Sequence, residues 1–236
     1  MATIWEKMQG GLIVSCQALP NEPLHGAGIM ARMALAAEQG GAAAIRANGA
    51  DDVRSIKAQT GLPVIGIVKR DYPGFPIYIT PTFREVDELL DAGADMIAFD
   101  ATLRKRPNGC TTEELIQRMH SRGVPAMADV STLEEAQQAE RLGADCVSTT
   151  LSGYTPYSVS RTGPDYELVE QAAERLHIPV FAEGRVSQPE QVAALLQLGA
   201  HAVVVGSAIT RPQLIAERFA AAAGRRWQRD GFKAKG

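Results

Sequence analysis

Cysteine is scarce in this chain of 236 residues. There are three, Cys16, Cys110 and Cys146, widely spaced and odd in number. That excludes a disulfide framework as the source of stability and fits a reducing, cytoplasmic setting. No apolar run approaches the roughly 18 residues that a membrane-spanning helix needs. The first residues, Met1-Ala-Thr-Ile-Trp-Glu-Lys7, lack a signal-peptide core. Neither sign of charge dominates: 24 Lys and Arg stand against 27 Asp and Glu, a net charge of −3. Nucleic acid is therefore not expected as a partner. Histidine is sparse as well. His25, His120, His177 and His201 are scattered, no two have metal-ligand spacing, and no protein-built metal site is expected.

What the chain does have is a repeat. Hydrophobic residues at 45% and charged residues at 22% are ordinary for a globular protein, and the length suffices for a sizeable core. Four segments share a helix end, a glycine and then a strand: Ala36-Ala-Glu-Gln-Gly-Gly-Ala-Ala-Ala-Ile45, Leu90-Asp-Ala-Gly-Ala-Asp-Met-Ile97, Arg141-Leu-Gly-Ala-Asp-Cys-Val147 and Leu198-Gly-Ala-His-Ala-Val-Val204. Each glycine suits the left-handed position that ends a helix. Between them, Gly61-Leu-Pro-Val64, Gly123-Val-Pro-Ala126 and His177-Ile-Pro-Val180 put a proline at the opening of a strand, where its missing N–H does least harm.

Eight short, apolar strands rich in Val, Ile and Ala are predicted near 12–17, 43–47, 64–69, 95–100, 125–129, 146–151, 179–183 and 202–206. Runs of this kind are parallel strands covered on both faces. Amphipathic helices are predicted near 28–39, 51–59, 82–92, 111–121, 132–142, 165–176, 188–198 and 210–223. Thr82 with Glu85, and Ser131 or Thr132 with Glu134 and Glu135, read as capping boxes. Eightfold strand–helix alternation predicts an α/β protein, a (β/α)8 TIM barrel forming one domain over 1–236. A doubly wound open sheet is the alternative. Residues 1–10 are expected to form a short helix closing the barrel bottom, and 224–236 a basic, solvated tail.

Most of the predicted strands end in a polar side chain: Gln17, Arg46, Lys69, Asp100, Asp129, Ser152, Glu183 and Ser207. Active sites of such barrels lie at the C-terminal strand ends. Strand side chains alternate, so Ile65, Ile67 and Lys69 share a face, as do Met127 with Asp129, Phe181 with Glu183, and Ser15 with Gln17. Lys69 is the costliest of these charges. It serves either in a salt bridge to Asp100 or Asp129, or as a proton-transferring amine or Schiff-base nucleophile. A free lysine holds its proton well above neutral pH, so a useful base must be destabilised as an ammonium by roughly 4 kcal/mol. Desolvation and Arg46 push that way, and Glu183 pushes back. Glu183 either pairs with Arg185 or acts as a second acid/base opposite Lys69.

Two glycine turns suggest phosphate, Glu183-Gly184-Arg185 and Gly206-Ser207-Ala208-Ile209-Thr210-Arg211. They follow strands 7 and 8, where barrels of this class often hold it. Gly26-Ala-Gly-Ile-Met-Ala31 matches a dinucleotide pattern but begins too far after its strand to serve as one. The cluster Arg104-Lys-Arg-Pro-Asn108 is either a solvated rim or an attractor for an anionic substrate. The aromatic loop Arg70-Asp-Tyr-Pro-Gly-Phe-Pro-Ile-Tyr-Ile-Thr80, directly after Lys69, has the length of a lid.

Five segments in order, Gly11-Leu-Ile-Val-Ser-Cys-Gln17, Ile65-Gly-Ile-Val-Lys-Arg-Asp71, Thr149-Thr-Leu-Ser-Gly-Tyr-Thr155, Ala182-Glu-Gly-Arg185 and Val205-Gly-Ser-Ala-Ile-Thr-Arg211, resemble the N-acetylmannosamine-6-phosphate 2-epimerase family, and the likeness runs from about residue 8 to 220. The resemblance implies a bacterial (β/α)8 phosphosugar epimerase of sialic acid and amino-sugar catabolism that uses no cofactor. It implies Lys69 and Glu183 as the catalytic pair. Gln17, Arg46, Asp129, Tyr154 and Thr155 are expected to bind the sugar, and Gly184, Arg185, Gly206, Ser207 and Arg211 the phosphate. A homodimer is the default assembly for such barrels. A class I aldolase and a non-catalytic phosphosugar-binding barrel are the rival readings.

Overall fold

A computed structural model describes residues 2–224. Of the expected basic tail, all but Gly224 lies outside the described residues. In chain order the elements are α1 (Ile4–Met8), β1 (Gly11–Cys16), α2 (Ala27–Gln39), β2 (Ala44–Asn48), α3 (Ala50–Gln59), β3 (Val64–Ile67), α4 (Phe83–Ala92), β4 (Met96–Asp100), α5 (Thr112–His120), β5 (Ala126–Asp129), α6 (Leu133–Arg141), β6 (Cys146–Ser148), α7 (Tyr166–Arg175), β7 (Val180–Glu183), α8 (Pro189–Gln197), β8 (Ala202–Val205), α9 (Ser207–Thr210) and α10 (Pro212–Ala222). The eight strands pair in sequence order, all parallel, and β8 closes on β1. The architecture is the (β/α)8 barrel, and the open sheet is excluded by that closure.

Local chemistry explains the boundaries. Gly41, Gly93, Gly143 and Gly199 all take positive φ, between 78° and 94°, at the helix-to-strand turns. Pro63, Pro125 and Pro179 open their strands by accepting, through their carbonyls, the N–H of Ile45, Ile97 and Val147 on the neighbouring strand. The capping boxes at Thr82/Glu85 and Thr132/Glu135 form, and so do two more at Thr3/Glu6 and Thr111/Glu114. Each satisfies orphan N–H groups at a helix start.

Alternation along each strand sorts the core into two shells. Ile13, Ile65, Ile67, Met96, Met127 and Phe181 fill the barrel interior, and the fully buried Met8 of α1 plugs its bottom. Val14, Ile45, Val64, Ile97, Phe99 and Val147 face the helices. The expected closing helix is thus present. Its Trp5 carbonyl is bound by His201 Nε2 at 3.0 Å, which gives that histidine a structural role.

Two departures from the sequence expectation matter. Strand β6 ends at Ser148 and coils into a 3-10 turn over Thr149–Leu151. The predicted strand end Ser152 is therefore buried outside the interior, bound to Asp165 at 2.5 Å. The eighth barrel helix is split into α9 and α10, and α10 has no buried residue, whereas every other barrel helix of the repeat buries part of one face. Among the described residues no helix is long and apolar enough to cross a membrane.

Gly66 shows how tightly sheet and helices fit: an added Cβ would lie 2.8 Å from Leu89 Cδ2 and 3.1 Å from Ala94 Cβ. We expect Gly66→Ala to destabilise the barrel by roughly 1–3 kcal/mol through overpacking, read as a lower urea midpoint. An unchanged midpoint would contradict this packing.

Candidate active site

The C-terminal strand ends surround a cavity of about 330 Å3, at the small end of the roughly 300–1,000 Å3 typical of ligand sites. Gln17, Arg46, Lys69 and Glu183 all line it. They arrive there from the inward-facing parity of their strands: Arg46 within β2, Glu183 at the end of β7, Gln17 one residue past β1 and Lys69 two past β3.

At the centre lies Arg46, 1% exposed. Its guanidinium donates to both oxygens of Asp129, Nη2 to Oδ2 at 2.5 Å and Nη1 to Oδ1 at 3.1 Å. Nη1 also stands 3.0 Å from Glu183 Oε2. Burial alone would favour a neutral side chain, but the Asp129 and Glu183 carboxylates outweigh it and hold the Arg46 pKa above its ordinary value. Glu183 is pushed the other way for a carboxyl. Burial raises its pKa, Arg46 opposes the rise, and the charge of Asp129 adds to it. Of the two alternatives for Glu183, the pair with Arg185 does not form; its cationic neighbour is Arg46.

Lys69 follows β3 and is fixed by its backbone. Its N–H donates to Asn48 Oδ1 at 2.8 Å, and it pairs with Ile79 in an antiparallel bridge. Among the described residues no carboxylate lies within ion-pair distance of its ammonium. Burial first, then the charges of Arg46 and Arg211, push its pKa below the ordinary lysine value; Glu183 and Asp129 pull back and lose. The contest left open by the sequence is decided in favour of a destabilised ammonium.

The loop after Lys69 folds back as a hairpin. Thr80, fully buried with φ 44°, bonds Ala98 O and the Val68 N–H through its hydroxyl. A β-branched residue in that region is strained, and these bonds hold it. Arg70 pairs with Glu85 and Glu88, and Tyr72 donates to Glu85 at 3.0 Å. The segment is thus pinned to α4, and its Tyr78 lines the cavity, with its phenol pushed up to about 12 chiefly by burial.

Gly206, Ser207 and Arg211 line the opposite wall with Gly184 and Arg185. Arg211 is held by Glu22, Nε to Oε1 at 2.8 Å, and Nη1 reaches Ser207 Oγ at 3.2 Å. Gly184 takes φ 113° and Arg185 φ 56°, so the chain turns sharply after β7. The Arg185 guanidinium is committed to the carbonyls of Gly163 at 2.9 Å and Ser152 at 2.7 Å, and it lies over the Tyr154 ring at 5.1 Å. It therefore braces the β6–α7 loop, and its charge faces the cavity only from this braced position.

Two of the residues expected to bind the sugar do not line the cavity. Asp129 is fully buried and lies beneath Arg46 and Thr150, one layer below the cavity surface. Thr155 is buried against Ser131 and Ser158, while its neighbour Tyr154 does line the cavity. In the basic cluster, Arg104 binds Asp100 at 2.6 Å and Arg106 binds the carbonyls of Pro81 and Asp100, so both are structural. Sequence reasoning missed Thr150, Ser148, Asn48, Tyr78 and Glu22. The only signal for Thr150 was its place in the Thr149–Thr155 segment.

Fold and site together define a (β/α)8 barrel with a polar, acid–base-bearing mouth. Residues 30–225 match the family described as "Putative N-acetylmannosamine-6-phosphate epimerase", and the chain belongs to that family. The solved N-acetylmannosamine-6-phosphate 2-epimerase from Clostridium perfringens is 56% identical, with a TM-score of 0.92, covering 94% of this chain and 96% of that one. A relative from Clostridioides difficile strain 630, named for the same activity, is 58% identical over 214 residues, 91% of this chain and 96% of its own length. Thiamine phosphate pyrophosphorylase from Pyrococcus furiosus, at 21% identity and a TM-score of 0.62, shares the fold.

Removing the Arg46 guanidinium leaves Asp129 buried without its partner. Arg46→Met is expected to lower unfolding free energy by roughly 3–5 kcal/mol, measured by urea denaturation. A loss below about 1 kcal/mol, the scale of an exposed pair, would overturn the central role given to this contact.

Proposed function

We propose that this protein interconverts N-acetylmannosamine 6-phosphate and N-acetylglucosamine 6-phosphate by moving the proton at C2 of the ring-opened sugar, in the cytoplasmic catabolism of amino sugars and sialic acid. The observation that carries the reading is Lys69 and Glu183 lining one cavity with oppositely shifted pKa values, in a chain of the epimerase family. Both shifts bring the groups toward neutral pH, where general acid and base catalysis needs them.

The C2 proton is acidic only when C1 is an aldehyde, so the ring opens first. A protonated Glu183 assists that step as the acid. Lys69, destabilised as an ammonium, then takes the C2 proton. The enolate oxygen is stabilised by the fixed positive charge of Arg46, which costs no reorganisation during reaction. Return of the proton on the other face gives the epimer. One proton leaves and one returns, with no net electron transfer, so the reaction needs no redox cofactor. The Gly206–Ser207 turn and Arg211 receive the phosphate, Glu22 keeping the Arg211 fork in place. Gln17, whose Oε1 is buried without a hydrogen-bond partner, accepts a hydrogen bond from the sugar or its acetamido N–H.

We propose in addition that the protein is a homodimer. Helix α10 presents Phe219 at 76% exposure and, half-buried only over 213–215, has no fully buried residue. An isologous contact is the commonest way to cover such a face.

Two measurements test these readings. In D2O, N-acetylmannosamine 6-phosphate should give N-acetylglucosamine 6-phosphate with deuterium at C2 by proton NMR, and Lys69→Ala should abolish the exchange. C2 exchange surviving in that variant would sink the lysine-base role. Analytical ultracentrifugation should find a species of twice the 25.3 kDa chain mass, shifted to monomer in Phe219→Glu; a monomeric wild type would refute the dimer.

A further inference from the structure

Thr150 stands between the two carboxyl groups of the mouth. Its Oγ1 lies 2.8 Å from Asp129 Oδ1, 3.0 Å from Glu183 Oε2 and 2.9 Å from Ser148 Oγ. A hydroxyl has one proton to donate and two lone pairs to accept with. Three contacts saturate it only if one is donated and two are received.

Asp129 is the one partner that takes without giving. It is held as a carboxylate by two guanidinium nitrogens, so the Thr150 proton points to it. Ser148 is a hydroxyl whose one proton can go to Thr150 Oγ1 at 2.9 Å or to Glu183 Oε2 at 3.4 Å, and the shorter contact takes it. The third contact, 3.0 Å from a carboxyl oxygen, needs a proton from Glu183. With Glu183 ionised, Thr150 would face two carboxylate oxygens with one proton between them, and one close oxygen pair would stand unbridged. Arg46 does not resolve this. Its Nη1 donates to Asp129 Oδ1 and to Met127 Sδ, so its nearness to Glu183 is one of charge without a hydrogen bond.

We propose that Thr150 is a positioning residue that keeps the proton of Glu183 in place and aims it, so that the resting site holds a protonated Glu183 together with an unprotonated Lys69. This rests on the proposed epimerase reading and adds a group to it. One proton is shared between Lys69 and Glu183; the Thr150 geometry decides which of the two carries it. When Glu183 gives that proton to the sugar, the Thr150 O–H swings from Asp129 Oδ1 to Glu183 Oε2. Thr150 neither gains nor loses a proton in the exchange. Serving an ionised Glu183 costs the hydroxyl its bond to Asp129, so the balance favours the protonated form, and the hydroxyl resets when the proton returns.

Thr150 keeps the inward parity of Cys146 and Ser148, and the 3-10 turn over Thr149–Leu151, which follows β6 directly, holds it between Asp129 of β5 and Glu183 of β7. The Thr149 hydroxyl fixes that turn by donating to Glu183 O at 2.9 Å and accepting from Glu183 N at 3.0 Å.

The test is a pH titration of the full chain carrying glutamate labelled with carbon-13 at the side-chain carboxyl, with Glu183 assigned by difference from Glu183→Gln. It needs no substrate. The wild type should show a protonated Glu183 at neutral pH. Thr150→Val should move its midpoint to lower pH, because the acceptor for that proton is gone, and Thr150→Ser should titrate with the wild type; a move to higher pH would show Thr150 donating to an ionised Glu183, the sense in which its hydrogen bond lowers that pKa, and would overturn the proposal. In the epimerase assay, Thr150→Val should lose about tenfold or more in kcat with KM changed less than about threefold, and Thr150→Ser should recover most of the loss. The proposal is overturned if wild-type Glu183 is already ionised at neutral pH, if the valine variant titrates with the wild type, or if the serine variant behaves like valine. Should the valine variant not fold by circular dichroism, Thr150→Ala against Thr150→Ser decides the same question. A wild type that epimerises nothing would sink the proposed reaction, yet it would leave the titration comparison standing.

Discussion

The mouth of this barrel is organised by one buried cation. Arg46 sits midway along β2 with almost no exposure, and a bare guanidinium there would cost far more than the fold can absorb. Its presence requires carboxylates from other strands, and β5 and β7 supply them through Asp129 and Glu183. The barrel can meet that requirement because closure brings these strand ends onto one interior. The pair is therefore a condition on the register of the sheet as well as a feature of the site.

The same constraint sets the chemistry. Two carboxyl groups around one guanidinium leave an excess of negative charge, which favours a proton on the less tightly held of the two, Glu183. Lys69, near the same guanidinium and partly desolvated, is disfavoured as an ammonium. In the proposed reaction Glu183 and Lys69, set about a shared electrostatic centre, serve as acid and base. Glu22 plays a comparable part for Arg211 across the cavity, and Arg185 is turned to bracing the loop that carries Tyr154.

Much of the frame was legible beforehand because it is written locally. Gly93, Gly143 and Gly199 stop helices for steric reasons that act within a few residues. Thr82 and Glu85 cap a helix three residues apart. The apolar runs around Ile65 and Ile97 are strands wherever they sit. Lys69, Arg46 and Glu183 could be placed at the mouth because strand number and alternation suffice for that. Thr150 could not: it shares the inward parity of Cys146 and Ser148, but nothing local marks it, since its partners Asp129 and Glu183 lie on β5 and β7. Nor could Glu22, a loop residue whose partner is 189 positions away.

By itself, the sequence determined the alternation of strands and helices, the polar ends of those strands and the likeness to one epimerase family. These depend on periodicity, turn chemistry and residue identity, all carried by short stretches of chain. Only the tertiary structure decided which charges meet: that Glu183 turns to Arg46 and away from Arg185, that Asp129 lies beneath the cavity, and that Thr150 bridges the two carboxyl groups. Such choices follow from distances between strands far apart in sequence, and closure of the barrel sets those distances.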